Sequence, residues 1–508
     1  MERFFRLLEP RPYATVPEVE VPEVELSELE QPVLKKPEEI LNRDKEWSIL
    51  SDMWRRDRPE LVFVVGQRRV GKSFVLSRFA REVSGIYYQA TKSTEREQIA
   101  ALSRILGDRF EEASLQAGLV LPSWEAIFQL VTRHLRDEPL LFVIDEFTYL
   151  VDAAPALPSI IQKFWDHDWQ NSRLKLVLSG SYVSAMTRLE SGDQPLFGRR
   201  TAKSIFSPFR AQDAAHFTPK YLPREKLIAY GTFGHLPGNL ALQNPARTLR
   251  DNISREILSA SGRLSDDAQH LLDAFLGESS VYYAVLVAIA GGDHTWRGIT
   301  SRVGRSGGSL ARPLQWLEEM GLVERIVPIT ERNPDRSKRA QYRVADPYVR
   351  FWQRIVAPLV NLGMLGLAEP GRLWTEWVEP RLDEYMGLTF EGVCRDYVRY
   401  EHALPFESLR VGEWWDASSK NQVDVVALGG RGELFLGECK WGGITASDLD
   451  LLRQRASMVT AELEQQPLRV HLALFSASGK FDRHVKEEAS RGDVLLFTAD
   501  DLFAGEAR

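Results

Sequence analysis

The sequence predicts an α/β protein built around a parallel sheet that helices cover on both faces. Three apolar segments, at residues 61–65, 140–144 and 174–178, alternate with stretches of helical character. Strands that are apolar along their whole length are typical of parallel sheets buried on both sides. A glycine-rich loop follows the first segment, and a second set of strands and helices fills the end of the chain. We therefore expect two α/β modules with helical segments between them.

Length, composition and charge limit the classes of protein to consider. A chain of 508 residues exceeds the size at which one hydrophobic core stops growing, so ~3 or more domains are expected. The net charge of −7 gives no general attraction for nucleic acid, so such binding would need local basic patches. The two cysteines, Cys394 and Cys439, are too few for a disulfide framework and suit a reducing compartment.

The N-terminal segment and the apolar runs predict a cytoplasmic protein. The longest apolar run, at 281–290, is too short to span a bilayer, and the first residues show no cleavable signal pattern. The pentapeptide Val-Pro-Glu-Val-Glu occurs twice, at 16–20 and 21–25. Proline and like charges disfavour helix and sheet, so we expect an extended tether here, with docking on a partner as the alternative.

The first apolar strand runs directly into a loop with the pattern GxxxxGK[ST]. Glycines let such a backbone wrap around a phosphate, the lysine reaches the β- and γ-phosphates, and the serine hydroxyl binds Mg²⁺. A helical segment follows at once, which is the context that the pattern requires; a fortuitous glycine-rich turn is the alternative. The pattern predicts contacts to ATP and Mg²⁺ from Gly66, Gln67, Arg68, Arg69, Val70, Gly71, Lys72 and Ser73.

Polar residues at the ends of the next two apolar segments are expected to complete this site. Asp145 is placed to hold Mg²⁺ and Glu146 to polarise the water that attacks the γ-phosphate. An acidic pair can also simply cap the next helix. Ser179 is the candidate hydroxyl at the end of the third segment, where a turn-forming role is the alternative.

Residues 281–344 have the outline of a winged helix, with three helical segments and a β-wing. Basic residues at the presumed recognition helix and wing can meet the phosphates of DNA: Arg302, Arg305, Arg312, Arg336, Lys338 and Arg339. Trp316, Glu318 and Glu319 are poor groove residues, so packing between domains is the alternative.

Near the C-terminus, one strand carries Asp424, and the next carries Glu438 and Lys440 two residues apart. Residues two apart face the same side of a strand, and a hairpin can bring Asp424 onto that face. Two carboxylates can bind a second divalent metal, while the lysine orients water or stabilises a pentavalent phosphate. Glu391, on an upstream amphipathic helix, is a further candidate ligand. A salt-bridged hairpin is the alternative.

Six motifs occur in an order that resembles the archaeal-type ATPases of the AAA+/STAND group. They are residues 42–46, 66–73, 145–146, 179–181, 195–200 and 234–237. The resemblance implies that Arg43 and Pro237 lie on the adenine side of the nucleotide. It also implies that Arg199 and Arg200 can stabilise transition-state charge in cis or in trans, although either can be an ordinary salt-bridge arginine.

The C-terminal pattern is similar to the PD-(D/E)XK nuclease fold and to a domain of unknown function that accompanies such ATPases. Val423 stands where the family has a proline. The implied architecture is a P-loop NTPase parallel sheet with a helical lid, a winged helix and a restriction-endonuclease-like α/β domain. The expected segments are a tether (1–36), the ATPase domain (37–215), the lid (216–275), the winged helix (276–350), a helical connector (351–375) and the nuclease-like domain (376–508).

These expectations lead to three candidate functions. One is an ATP- and Mg²⁺-dependent enzyme whose nucleotide state controls a nuclease-like site acting on nucleic acid, with DNA as the expected substrate. The alternative is a STAND-type switch that binds DNA or a protein without cutting. The third is a homo-oligomeric ring motor, which would require Arg199 or Arg200 to act in trans on a neighbouring copy.

Overall fold

The computed structural model describes residues 34–135, 138–181, 183–189, 191–269, 280–305, 307–401, 404–463 and 466–504. Almost all of the expected tether at 1–36 lies outside these residues. The account below concerns Lys36–Arg508, which form one compact unit.

The first sheet is fully parallel and has the strand order β2-β3-β4-β1-β5. Its strands are β1 (Glu60–Val65), β2 (Ile86–Gln89), β3 (Leu140–Asp145), β4 (Leu174–Gly180) and β5 (Ala202–Ile205). Every residue of β1, β3 and β4 is buried, which explains why these strands are apolar almost throughout. Because β4 lies between β1 and β3 and pairs parallel with both, the carboxyl ends of these three strands lie side by side at one edge of the sheet. The parallel sheet predicted from the apolar segments is confirmed.

Helices surround and follow this sheet. Those of the first module and of the segment after it are Asp44–Arg55, Lys72–Glu82, Glu95–Phe110, Ala113–Gln116, Trp124–Arg133, Phe147–Ala153, Leu157–His167, Val183–Arg188, Ala211–Ala215, Pro223–Phe233, Pro237–Leu240 and Leu249–Glu256. The helix Glu95–Phe110 begins with a capping box in which Thr94 and Glu97 satisfy each other's backbone N–H groups.

A three-helix segment and a β-hairpin follow, as the winged-helix pattern predicts. The helices are Ser280–Ala290, Trp296–Val303 and Ala311–Glu319, with a 3₁₀ turn at Gly307–Ser309. The wing is the antiparallel pair β6 (Val323–Ile326) and β7 (Gln341–Val344), with a further 3₁₀ turn at Pro334–Arg336.

The wing does not present all of its basic residues to solvent. Arg339 forms an ion pair with Glu462 at 3.0 Å and donates to the backbone oxygen of Trp415. Arg343 forms a buried bidentate pair with Glu413 at 2.8 and 2.7 Å. Arg339 thus joins the wing to the C-terminal domain, as the alternative of packing between domains predicts, and DNA contact through this side chain stays a prediction.

The C-terminal sheet is mixed, with the order β12-β11-β10-β9-β8. Its strands are β8 (Ser408–Trp415), β9 (Gln422–Gly429), β10 (Glu433–Lys440), β11 (Arg469–Ser476) and β12 (Leu495–Thr498). The first three strands pair antiparallel, and the last three pair parallel. Its helices are Glu379–Tyr400, Ala446–Glu462, Arg483–Ser490 and Ala499–Phe503.

Two continuous helical segments connect the winged helix to this sheet. The first comprises Pro347–Phe351, a π-helical turn at Trp352–Val356, and Ala357–Asn361; the second comprises Pro370–Leu373, a π-helical turn at Trp374–Val378, and Glu379–Tyr400. The expected boundaries at 350/351 and 375/376 fall inside these helices, so neither is a flexible linker. The boundary at 275/276 lies outside the described residues.

The hydrophobic cores show which modules pack together. One cluster belongs to the ATPase sheet and its helices. A second runs from Phe209 through the lid and the winged helix to Phe503, so these modules share one core. Both cysteines are buried and unbonded. No helix in the described part of the chain combines the length and apolar character that crossing a membrane requires.

Candidate functional site

The loop after β1 has the conformation that its glycines permit. Gly71 has φ +96°, in the left-handed region, and directly precedes the helix Lys72–Glu82. A Cβ on Gly66 would lie 2.5 Å from the backbone oxygen of Phe206, so only glycine fits beside the end of β5. Arg69 also has a positive φ, of 66°, which is uncommon outside glycine and clusters at functional sites. The N-terminus of the following helix presents backbone N–H groups to an anion in this loop.

A hydrogen-bonded chain joins the loop to the ends of β3 and β4. The Lys72 Nζ donates to the Gly66 backbone oxygen at 2.6 Å and to the Ser181 Oγ at 3.0 Å. The Ser181 hydroxyl in turn donates to the Glu146 Oε1 at 2.6 Å. Burial lowers the pKa of Lys72, and the charges of Glu146 and Asp145 offset this only in part. The three side chains thus meet beside the phosphate loop, at the carboxyl ends of β3 and β4.

Ser179 does not take the place expected for it. Its hydroxyl is buried and makes no hydrogen bond among the described residues, whereas Ser181 lines the cavity at the loop. Ser179 is still within β4, while Ser181 follows the last residue of that strand. Two residues of a strand span roughly 6.6 Å, so Ser179 lies inside the sheet and Ser181 lies at its edge.

The two oxygen ligands expected for Mg²⁺ lie close together. The Tyr87 hydroxyl donates to Asp145 Oδ2 at 2.8 Å and is also hydrogen-bonded to Ser73. Asp145 is fully buried, and its other oxygen accepts from the Glu146 backbone N–H at 2.9 Å. Burial and the Asp145 charge raise the pKa of Tyr87, so it remains a hydrogen-bond donor. A hydroxyl and a carboxylate are hard oxygen ligands that fit Mg²⁺, with water and phosphate completing its shell.

A cavity of about 360 Å³ opens beside the loop, with walls from the ATPase domain and the lid segment. Arg43 and Pro237 both line it, as do Ile40, Phe209 and Phe217. Arg43 donates to the backbone oxygens of Val70 at 2.8 Å and Ser207 at 3.0 Å, and its guanidinium lies 4.3 Å from the Phe209 ring centre. Arg43 therefore braces the loop. The apolar surfaces of Ile40, Phe209 and Phe217 suit a base, and no sequence motif marked them.

The remaining loop arginines point to other partners. Arg68 donates to the Tyr149 hydroxyl, and Arg69 forms an ion pair with Asp267. Arg69 also lines the cavity. Both contacts tie the phosphate loop to neighbouring segments.

Arg199 and Arg200 do not lie at the nucleotide cavity of their own chain. They precede β5, and the Thr201 backbone N–H donates to the Leu61 oxygen at 2.9 Å, near the amino end of β1. The loop follows the carboxyl end of β1, roughly 16 Å away along the strand. Arg199 forms a two-point pair with Asp166 at 2.8 and 2.7 Å. The expectation that Arg199 or Arg200 stabilises transition-state charge in its own chain is therefore wrong in this structure. The parallel strands place both arginines at the edge of the sheet opposite the phosphate loop.

Comparison with known families identifies the first module. Residues 40–240 match a family described as "ATPase domain predominantly from Archaea", and residues 352–451 match one described as "Archaea bacterial proteins of unknown function". Residues 40–240 therefore form an ATPase domain of the archaeal type. An uncharacterized protein from Methanocaldococcus jannaschii is 26% identical to this ATPase over 481 residues, which cover 91% of this chain and 100% of that one.

Two solved structures resemble part of the ATPase. A Walker-type ATPase of Pyrococcus abyssi is 21% identical with a TM-score of 0.48, covering 63% of this chain and 97% of that chain. The ORC2 protein of Aeropyrum pernix is 14% identical with a TM-score of 0.43, covering 65% of this chain and 97% of that chain.

The second family match contains the C-terminal carboxylates, which lie on neighbouring strands. The register pairs Val425 of β9 with Gly437 of β10, so the next pair in this antiparallel ladder sets Asp424 opposite Glu438. Side chains opposite each other in this way have Cβ atoms about 5 Å apart. Asp424 Oδ2 accepts from the Cys439 backbone N–H at 2.8 Å.

Two cations flank Glu438 and complete this cluster. Lys440 Nζ lies 3.1 Å from Glu438 Oε1, and Arg455 Nη1 lies 2.8 Å from Glu438 Oε2. Burial alone would lower the pKa of Lys440, but the charge of Glu438 raises it above its ordinary value. Lys440 therefore stays protonated. Arg455, from the helix after β10, is a member of the cluster that the sequence motif did not indicate.

Within the described residues Asp424 has no ion pair as close as these, although the charge of Arg395 acts to lower its pKa. Burial raises its pKa well above the ordinary value, and the charges of Glu391 and Glu438 raise it further. Burial likewise raises the pKa of Glu391, on the helix Glu379–Tyr400, although Arg395 counteracts this. In the described parts of the chain, no three His, Cys, Asp or Glu side chains are close enough to hold a metal ion by themselves.

Proposed function

We propose that this ATPase couples its nucleotide state to a metal-dependent nuclease-like site in the C-terminal domain, which acts on DNA. The observation that carries the proposal is the placement of Asp424 opposite Glu438 on buried, adjacent strands, with Lys440 beside Glu438. Two like charges placed opposite each other in a sheet destabilise it. A bound cation between the two carboxylates would remove that cost. The pKa of Asp424 is raised by burial and by the charges of Glu391 and Glu438, and a bound cation would lower it.

The residues fit a divalent ion with oxygen ligands. Asp424 and Glu438 would hold it, and water or substrate phosphate would fill the remaining positions. Glu391, a further ligand expected from the sequence, does not form a three-carboxylate cluster with them among the described residues. A bound ion would polarise the phosphate and lower the pKa of an attacking water. Lys440 is placed to orient that water or to stabilise charge on the phosphate, and Arg455 positions the Glu438 carboxylate. The salt-bridged hairpin accounts for Glu438 and Lys440 but leaves the buried Asp424 uncompensated.

The nucleotide site would supply the control. Glu146 would act on the attacking water, Lys72 on the phosphates, and Ser73 and Asp145 on Mg²⁺. Pro237, which lines the nucleotide cavity, belongs to the lid segment, and the lid shares its core with the C-terminal domain. A change in the lid on ATP hydrolysis would therefore reach the carboxylate cluster through packed side chains.

Metal-dependent cleavage tests this proposal directly. Full-length protein is incubated with linear, nicked and single-stranded DNA in ATP with Mg²⁺ or Mn²⁺. We expect Asp424→Ala to cut slower by roughly a hundredfold or more while its ATPase rate stays unchanged. Asp450→Ala, an exposed aspartate on the following helix, is the matched control and should cut like wild type. If wild type cuts no better than Asp424→Ala, the nuclease proposal fails.

A nucleotide-controlled switch is the second candidate, favoured by the contacts that tie the wing to the C-terminal domain. These contacts make the winged helix a packing module, while Arg305 and Arg312 remain exposed for DNA. The switch predicts slow turnover and retained ADP in the purified protein. ADP retained at one per chain without metal-dependent cleavage would support the switch. A ring motor would instead need Arg199 or Arg200 of a second copy, so ATPase rates that do not change with protein concentration would exclude it.

A further inference from the structure

A second cavity, of about 590 Å³, lies at the junction of the lid, the winged helix and the C-terminal domain. It is larger than the nucleotide cavity, and no motif in the sequence marks it. We call it the arginine cavity after six of its lining residues. These are Arg325, Arg343, Arg350, Arg395, Arg399 and Arg410.

The cavity has more cationic than anionic side chains. Its lining carboxylates are Glu324, Asp396 and Glu413, three against six arginines. The charges of Arg395 and Arg343 hold the pKa of Glu413 below its ordinary value despite burial, so Glu413 is ionised. Burial raises the pKa of Asp396. The carboxylates therefore leave a positive excess.

Three of the arginines donate to backbone oxygens, although Arg395 and Arg399 also lie 3.7 and 3.6 Å from the carboxylates of Glu413 and Asp396. Arg399 donates to the Val411 backbone oxygen at 2.8 Å, and Arg410 donates to the Ile329 oxygen at 2.8 Å. Arg395 donates to the Asp424 backbone oxygen at 2.9 Å. The backbone oxygens hold these guanidinium groups in place, and the six arginines still outnumber the three carboxylates, which suits recognition of phosphate oxygens.

Three buried nitrogen atoms in residues that line the cavity lack hydrogen-bond partners. The Nε atoms of Arg343 and Arg350 and the Nε2 atom of His235 are buried and make no hydrogen bond within the described chain. Arg343 and His235 are each only 8% exposed. Such groups cost free energy unless something accepts their hydrogen bonds.

We propose that the arginine cavity binds a small phosphorylated anion of about nucleotide size, at a site separate from the nucleotide cavity. Its volume is within the range of small-molecule sites. A nucleic-acid duplex is too wide for a cavity of this size, so the ligand is a small molecule. Six guanidinium groups from the winged helix and the C-terminal domain would close around it.

The position of the cavity links it to both other sites. His235 lines it, and Pro237, two residues later in the same turn, lines the nucleotide cavity. Gly234 begins this turn with φ +81°, and a Cβ there would lie 2.3 Å from an Asp346 carboxylate oxygen. The turn is thus packed tightly between the two cavities. Arg395 contacts the strand that bears Asp424, so an anion in the arginine cavity would bear on the nucleotide lid and on the carboxylate cluster.

Calorimetric titration of pyrophosphate tests the site. Full-length protein is saturated with ADP in Mg²⁺-free buffer containing EDTA, so that the phosphate loop is occupied, and sodium pyrophosphate is added. We expect wild type to bind one pyrophosphate per chain. The double variant Arg399→Gln/Arg410→Gln, which changes two exposed arginines of the cavity, should bind at least tenfold more weakly. Arg469→Gln, an exposed arginine on β11 outside the cavity, should bind like wild type.

Three results would overturn the proposal. The first is that ADP-saturated wild type does not bind pyrophosphate at millimolar concentration. The second is that the double variant binds pyrophosphate with the same affinity as wild type. The third is that Lys72→Ala loses pyrophosphate binding while the double variant keeps it. The last result would place the anion in the nucleotide cavity. Unchanged ADP affinity and melting temperature of the double variant show that it is folded, so weaker binding can be assigned to the cavity.

Discussion

Ser181 shows how much at a nucleotide site depends on one hydroxyl. It accepts from Lys72 and donates to Glu146, so it links the group that binds phosphate to the group placed to act on water. Its Oγ lies at the edge of the sheet, whereas that of Ser179 is enclosed. The two serines differ by two positions in sequence and by their whole surroundings in the fold.

Replacing these serines separately should separate their roles. We expect Ser181→Ala to lower kcat for ATP hydrolysis by roughly tenfold to a hundredfold, because a hydrogen bond to charged groups contributes about 1.5–3 kcal/mol. ADP affinity should change little, since the loop is intact. Steady-state kinetics and ADP binding measure both effects. Ser179→Ala is the control with nearly unchanged kcat; equal losses in the two variants would contradict the assignment.

Strand β4 contains a buried charge that makes its stability depend on pH. Lys175 is fully buried, and its Nζ donates to the backbone oxygens of Arg56 and Arg58, both at 2.5 Å. Burial lowers its pKa from 10.5 to about 8, although the charge of Glu60 opposes the shift. The element that runs between β1 and β3 is therefore sensitive to the protonation of one lysine.

The sign of this dependence follows from proton counts. Between pH 8 and 10.5 the unfolded chain binds the Lys175 proton and the folded chain does not, so the free energy of unfolding rises with pH. The rise is up to roughly 3 kcal/mol. Denaturant unfolding across this range should show it in wild type and in Lys163→Met, an exposed control. Lys175→Met should lack it; an identical rise in that variant would show that other groups are responsible.

At the scale of the molecule, a buried ion pair joins the winged helix to the C-terminal sheet. The Arg343 guanidinium on β7 holds both oxygens of Glu413 on β8, and each side chain is 9% exposed. Arg395 lies 3.7 Å from the same carboxylate. The pair closes one side of the arginine cavity, so the docking of these modules and the shape of that cavity depend on it.

Removing one partner should cost more than removing both. Glu413→Gln leaves two guanidinium groups without their carboxylate, and we expect it to lower the free energy of unfolding by roughly 3–5 kcal/mol. The double variant Arg343→Met/Glu413→Leu should recover much of this loss, because no charge is then left buried alone. Denaturant unfolding and hydrogen exchange of β7 and β8 measure the effect. A double variant as unstable as Glu413→Gln would show that the pair acts through packing.

The sequence by itself determined the features that are contiguous in the chain. The strand, loop and helix around Gly66–Ser73, the carboxylates at the end of β3 and the hairpin that sets Asp424 opposite Glu438 follow from local patterns, because backbone geometry fixes neighbours a few residues apart. Tertiary structure decided what distant segments bring together. Strand direction places Ser181 rather than Ser179 at the edge of the sheet, and it places Arg199 and Arg200 at the opposite edge. The packing of the wing on the C-terminal domain pairs Arg339 with Glu462. The arginine cavity is lined by residues from Tyr230 to Glu413, and no local pattern encodes it, because only the packing of three modules makes them neighbours.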